Sequence, residues 1–239
     1  MFNKTPEQKA RRRAREAAKG PIDLSTEKGR KRANNELYWG DHGFLRLRFQ
    51  NLHQISDEMW RSNQPSPKQV AEHARERGIK TILNLRGESP KGYYLLEKEA
   101  CEANGITLVD FQVFSRNTPT KERVFEAKEL FDSIEYPALM HCKSGADRAG
   151  VMSVLYKLLR EETSLEEARD QLSLKFLHVK HGKTGILDAV FEVYAAFNER
   201  QPTPFLEWVE KYYDPEAIKK AFKESGRGNL RIDELLGRE

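Results

Sequence analysis

Residues 138–150 read Ala-Leu-Met-His-Cys-Lys-Ser-Gly-Ala-Asp-Arg-Ala-Gly, and their types and spacing suit phosphate chemistry. The apolar run 138–141 reads as a buried strand ending at Cys142. Small and polar residues follow, then Arg148. Beyond it, Val151, Val154, Leu155, Leu158 and Leu159 recur at the spacing of one helix face. A strand–loop–helix junction aims backbone N–H groups and the positive end of a helix dipole into one concavity, where a phosphate can sit. A thiol in such surroundings is held as the nucleophilic thiolate. Arg148 supplies a planar fork that grips two phosphate oxygens, which a lysine cannot do. The expected phosphate cradle is therefore Lys143, Ser144, Gly145, Ala146, Asp147 and Arg148, with Cys142 at its floor.

Several elements must position this junction. Ser66-Pro67 opens a helix that Gly78 closes. Residues 81–85 are β-rich and central in character, and residues 45–49 alternate as a half-buried strand does. A further strand is expected from Glu58 and another over 106–113. Helices are expected over 92–104, from Pro119, and over 149–161, 165–176, 184–198, 204–212 and 214–224. The one over 165–176 begins behind a Ser164…Glu167 capping box. Strands alternating with helices, then a helical C-terminal half, indicate an α/β fold with a central, mostly parallel sheet flanked by helices and extra C-terminal helices.

The segment His141, Cys142, Gly145, Arg148, Gly150 resembles the signature of the cysteine-dependent protein tyrosine and dual-specificity phosphatases. Residues 60–65 (Trp-Arg-Ser-Asn-Gln-Pro) and 78–86 resemble the amino-terminal half of the compact bacterial, plant and fungal dual-specificity-like branch, and the likeness spans about residues 55–198. What the resemblance implies is a phosphoric monoester hydrolase working through a phosphocysteine intermediate. Cys142 would attack phosphorus and Arg148 would hold the equatorial oxygens, His141 supporting the loop, with no metal and no cofactor. It also implies an aspartic acid that protonates the leaving oxygen. Asp110 lies 32 residues before Cys142, a familiar separation, yet falls within an expected strand. Alignment by the neighbouring loop puts Ser115 at the acid position. Asp147 is the other candidate, because some relatives carry the same Asp-Arg pair in the loop. Both stay open, as does protonation by substrate or water. Ala149 stands where most relatives carry Ser or Thr, which implies slower breakdown of the intermediate. That loss also keeps a second reading in view, a catalytically weak pseudophosphatase acting as a phosphate-recognising scaffold.

Arg116, His178, His181 and Lys183 are basic residues that could wall the phosphate cleft, or could simply be solvated loop and packing residues. Cys101 reads as a core residue, with a redox role beside Cys142 as the alternative. The substrate is expected to be a phosphoprotein, or a phosphorylated lipid or small molecule such as an inositol head group.

The 239 residues are 38% hydrophobic and 33% charged, with net charge +4. Residues 1–34 hold eleven Lys/Arg and four Asp/Glu, leaving thirty against thirty-three in the rest, so the basicity belongs to the amino-terminal arm. A short helix is expected over 6–19. The expected organisation is a partly disordered basic arm over 1–40, a phosphatase domain over 41–200 and a helical extension over 201–239. The arm's basic stretch, residues 1–34, suits an anionic membrane face better than nucleic acid, since no aromatic follows Phe2 within those residues to stack on bases. No apolar run approaches the ~20 residues of a membrane span. Two cysteines build no disulfide framework, and no apolar stretch follows the first charges. The expected compartment is the cytoplasm, with peripheral contact at the inner face of a membrane.

Overall fold

The computed structural model describes residues 5–8, 10–11, 20–46 and 48–226. The arm is helical at 6–8 and 10–11, and the rest of the helix expected over 6–19 lies outside the described residues. Five strands form one sheet: β1 (His53–Gln54), β2 (Met59–Asn63), β3 (Thr81–Asn84), β4 (Thr107–Asp110) and β5 (Ala138–Cys142), in the order β1-β2-β5-β3-β4. Only β1 is antiparallel to its neighbour. All five residues of β5 and all four of β3 are buried, as expected for central strands of a parallel sheet.

The two faces of β5 serve two cores. Ala138, Met140 and Cys142 enter the larger one with α5 (Lys121–Ser133), α6 (Asp147–Leu159) and α8 (Ile186–Arg200). Leu139 enters the other, with Val70 of α3 (Pro67–Arg77) and Ala100 and Cys101 of α4 (Gly92–Ala103). Each fully buried Leu or Met here is worth about 1.5–3 kcal/mol relative to exposure. Helix α1 (Glu27–Asn35) packs its Ala33 against Leu96 of α4, so residues 27–35 lie folded on that helical face. At the other end, α9 (Phe205–Lys211) and α10 (Pro215–Glu224) contribute Phe205, Trp208, Val209, Ile218 and Phe222 to the larger core.

The sequence patterns locate most boundaries. Ser66 and Gln69 form a reciprocal capping box at the start of α3, and Gly78 ends it at φ +61°. Three expectations need correction. The described residues of 45–49 form no strand: Gly43–Arg46 is a helical turn, α2, in which Arg46 is buried and Leu45 exposed. Burial follows the Arg46–Asp41 ion pair (2.8 Å), not the apolar alternation. The helix expected over 165–176 stops at Arg169 (α7, Leu165–Arg169), and a 3-10 turn at Leu174–Phe176 follows it. The strand expected over 106–113 is regular only to Asp110; Phe111 and Val113 continue as isolated bonds from their N–H groups to the Asn84 and Leu85 carbonyls.

Candidate active site

Register brings the carboxyl ends of three parallel strands together. Cys142 stands opposite Asn63 of β2, and His141 opposite Asn84 of β3. Carboxyl ends of such strands are where α/β sheets hold ligands. The chain leaves β5 at Cys142, crosses 143–146 and enters α6 at Asp147. No side chain caps α6, so its first-turn N–H groups are open to an anion. Gly145 has φ +73°, and a Cβ there would lie 2.7 Å from the Ser62 backbone carbon. Only glycine fits this crossing.

The loop is held from behind by Arg61, wholly buried on β2. Its Nη2 donates to the Gly145 (2.8 Å) and Ala146 (3.0 Å) carbonyls, and its Nη1 donates to the Gln171 carbonyl (2.7 Å) and side chain (3.0 Å). The guanidinium carbon also lies 4.1 Å from the Phe176 ring centre. Drawing two loop carbonyls backward leaves the neighbouring N–H groups to face forward. Burial lowers the Arg61 pKa to about 10, opposed by the negative charge of Cys142 and Asp147; at that value it stays a cation at neutral pH. Asn51 adds a second strut, its Nδ2 donating to the carbonyls of Ser144 (3.0 Å) and Phe176 (3.1 Å).

Around this loop the expected residues separate. Cys142 is buried at its floor. Arg148 sits in the first turn of α6, its Nη1 3.5 Å from the Leu85 carbonyl. The exposed Ser144 and the buried Gly145 and Ala146 make the crossing. Lys143 turns its Nζ to Asp41 (3.3 Å) and lies 3.5 Å from His42 Nδ1. His141 is wholly buried on the opposite face, its Nε2 2.7 Å from Glu97 Oε1.

The two acid candidates occupy different settings. Asp110 ends β4, with β3 between that strand and β5. Both its oxygens accept side-chain bonds, Oδ1 from Asn84 (2.7 Å) and Oδ2 from Tyr94 (2.6 Å). Asp147 belongs to the loop–helix junction itself, and its Oδ1 lies 2.9 Å from His178 Nδ1. The other ring nitrogen of His178 lies 2.8 Å from Asp188 Oδ2, in the first turn of α8. Burial alone would lower the His178 pKa, but hydrogen bonds to the two carboxylates reverse this and push it up to about 9. His178 is thus brought to the site through Asp147. His181, Lys183 and Arg116 are exposed.

Cys101 lies in the core across the sheet from Cys142, and burial pushes its thiol pKa up. That placement leaves it no part in the chemistry of Cys142.

Sequence reasoning did not single out the rest of the network. Asp41, buried, takes Arg46, Arg86 (2.7 and 2.9 Å) and Lys143 together. Burial raises its pKa, but the cations, Arg86 foremost, hold it below the usual carboxylate range. Arg86 also donates to Gln64 Oε1 (2.7 Å), and Gln64 Nε2 donates to Glu97, which reaches His141. Glu97 and Asp188 carried one readable signal. Asp188 is an acid flanked by the apolar pairs Ile186-Leu187 and Ala189-Val190, and Glu97 is the acid on the buried face of its helix.

The chain is similar to several known proteins. A curated relative, the inositol diphosphatase DSP3 of Arabidopsis thaliana, is 27% identical over 134 residues, covering 53% of this chain and 64% of the relative. The chain thus spans less than two thirds of that relative's length. Among solved structures, the core catalytic domain of the PP-IP phosphatase SIW14 from S. cerevisiae is 21% identical, covering 75% of this chain and 95% of that one, with a TM-score of 0.45. TpbA of P. aeruginosa in complex with pTyr is 18% identical over 54% of this chain and 75% of that one, with a TM-score of 0.43. A family model, PTP-NADK, described as a DSP-PTPase phosphatase fused to NAD+ kinase, matches residues 50–186, more than half of the chain and the whole stretch from β1 to the start of α8. The chain belongs to this dual-specificity-type phosphatase family.

Proposed function

We propose that this protein hydrolyses phosphomonoesters without a metal, through a phosphocysteine intermediate, on a phosphorylated inositol or a similar small head group. Cys142 Sγ attacks phosphorus and the ester oxygen leaves with its electron pair and takes a proton. Water then attacks phosphorus, forming a P–O bond as the S–P bond breaks, and phosphate and the thiolate are released. Arg148 and the N–H groups of the loop hold the equatorial oxygens through both steps. The observation that carries this reading is Cys142 at the floor of a loop whose carbonyls Arg61 pulls back, with Arg148 in the following helical turn. The substrate class draws its support from the inositol diphosphatase relative.

The test is turnover of p-nitrophenyl phosphate in EDTA. Wild type should turn over, and Cys142→Ser should lose about 10⁴-fold or more while still binding inorganic phosphate. Phosphate binding without turnover in the wild type would instead establish the scaffold reading. A panel of inositol phosphates, lipid phosphates and phosphopeptides then ranks substrates by kcat/KM, and a preference for phosphopeptides would overturn the substrate class proposed here.

A further inference from the structure

His178 bonds one carboxylate on the catalytic loop and a second on another helix, and it is almost completely buried. Its two ring nitrogens both donate only when the ring is a cation. A buried cation between two anions is a satisfied arrangement, whereas a neutral ring would leave one contact without its proton. The charged groups that face it are Asp147 from α6 and Asp188 from α8. Behind Asp147 stands Arg61 of β2. On its far side Asp188 opens on a cleft of about 680 Å³, lined also by Arg169, Asp170 and Lys180.

This creates a difficulty for Asp147 as a simple acid. Where Asp147 Oδ1 accepts the Nδ1–H of His178, the proton of that contact sits on the histidine. The geometry resolves it by placing a proton on the other end of the same bond. We propose that His178 is the proton store of the reaction, acting on the substrate only through Asp147.

This rests on the phosphocysteine reading above. As Cys142 displaces the ester oxygen, the Nδ1 proton of His178 crosses to Asp147, and Asp147 passes that one proton to the leaving oxygen and ends again as the carboxylate. His178 becomes neutral, keeping its Nε2–H on Asp188. When water attacks the phosphocysteine, one water proton passes through Asp147 back to His178, the hydroxyl joins phosphorus, and the S–P electron pair returns to sulfur. Protons and charge balance over the cycle, and no co-reactant is needed. An acid supplied this way stays loaded across neutral pH, where an ordinary carboxyl group is already deprotonated. His178 is therefore a positioning and proton-storing residue, and Asp147 is the group that touches the leaving oxygen.

The experiment compares kcat/KM for p-nitrophenyl phosphate, whose leaving group needs no acid, with phenyl phosphate, whose leaving group does. His178→Gln should lose about 10²-fold more kcat/KM on phenyl phosphate than on p-nitrophenyl phosphate, the range of general-acid contributions. The ratio of the two wild-type pH profiles should fall above about pH 9, and Asp188→Asn should move that fall to lower pH. Equal losses on both substrates in His178→Gln, or a wild-type ratio that already falls near pH 5, would overturn the proposal. Failure of the phosphocysteine reading itself looks different: Cys142→Ser would then retain turnover of p-nitrophenyl phosphate.

Discussion

Four acceptors meet one guanidinium at Arg61, and no other side chain could serve them all. Lysine offers one point charge on a flexible stem in place of a rigid fork. Arg61→Lys should therefore leave loop carbonyls unsatisfied in a dry site and lower stability by about 2–3 kcal/mol, read as a fall in the urea midpoint. The kcat/KM for p-nitrophenyl phosphate should fall as well, because the loop's N–H groups lose their backing. Retained activity in a destabilised variant would separate the loop's geometry from Arg61. A second single-residue prediction concerns Ala149, buried one residue after Arg148. Restoring the hydroxyl with Ala149→Ser should raise kcat and shrink the pre-steady-state burst of nitrophenol, if breakdown of the intermediate limits turnover. Residues such as Cys142 and Arg148 were readable because they sit six apart in one segment. Arg61 was readable only as part of a resembling segment, since its acceptors lie 84 to 110 positions away in the chain.

At the level of elements, legibility followed local chemistry. The start and end of α3 could be read directly, because a capping box and a left-handed glycine are self-contained signals. Residues 45–49 and 165–176 misled for one reason: tertiary contacts overrode local pattern. Asp41 drew Arg46 inward, and the chain needed a turn after Arg169 to bring Phe176 beneath Arg61 and His178 against Asp147. The loop between Cys142 and Asp147 combines both kinds of information. Gly145 is small in sequence for a reason visible only across the sheet, where β2 backbone atoms occupy the space a Cβ would need. Gly145→Ala should fold, with β2 or the loop displaced by some tenths of an ångström, and lose most phosphatase activity. Ser66→Ala supplies the contrast, costing about 1 kcal/mol of stability by loss of a cap while leaving kcat/KM unchanged. Comparable activity losses in the two variants would argue that global stability, not loop geometry, governs turnover.

For the whole molecule, the Asp147–His178–Asp188 bridge joins α6 to α8 across two helices of the larger core, so its protonation state should register in global stability. The sign follows from the direction of the shift. His178 has a folded pKa of about 9, above its unfolded value of about 6.5. The folded state therefore holds this proton more tightly than the unfolded chain, and the stabilisation is fully present below about pH 6.5. As pH rises from there toward 9 the unfolded chain has already released the proton, and the advantage diminishes until the folded protein loses it too. Urea midpoints of the wild type should accordingly decline across pH 6.5–9. His178→Gln should be less stable at pH 6 and show a flatter dependence over that window, since glutamine carries no titrating proton. Asp41 acts in the opposite window: its lowered pKa contributes stability above its unfolded value that is lost as pH falls through the folded one. The two groups thus predict a broad optimum between their windows, and equal slopes for wild type and His178→Gln above pH 6.5 would show that the histidine is not charged in the folded protein.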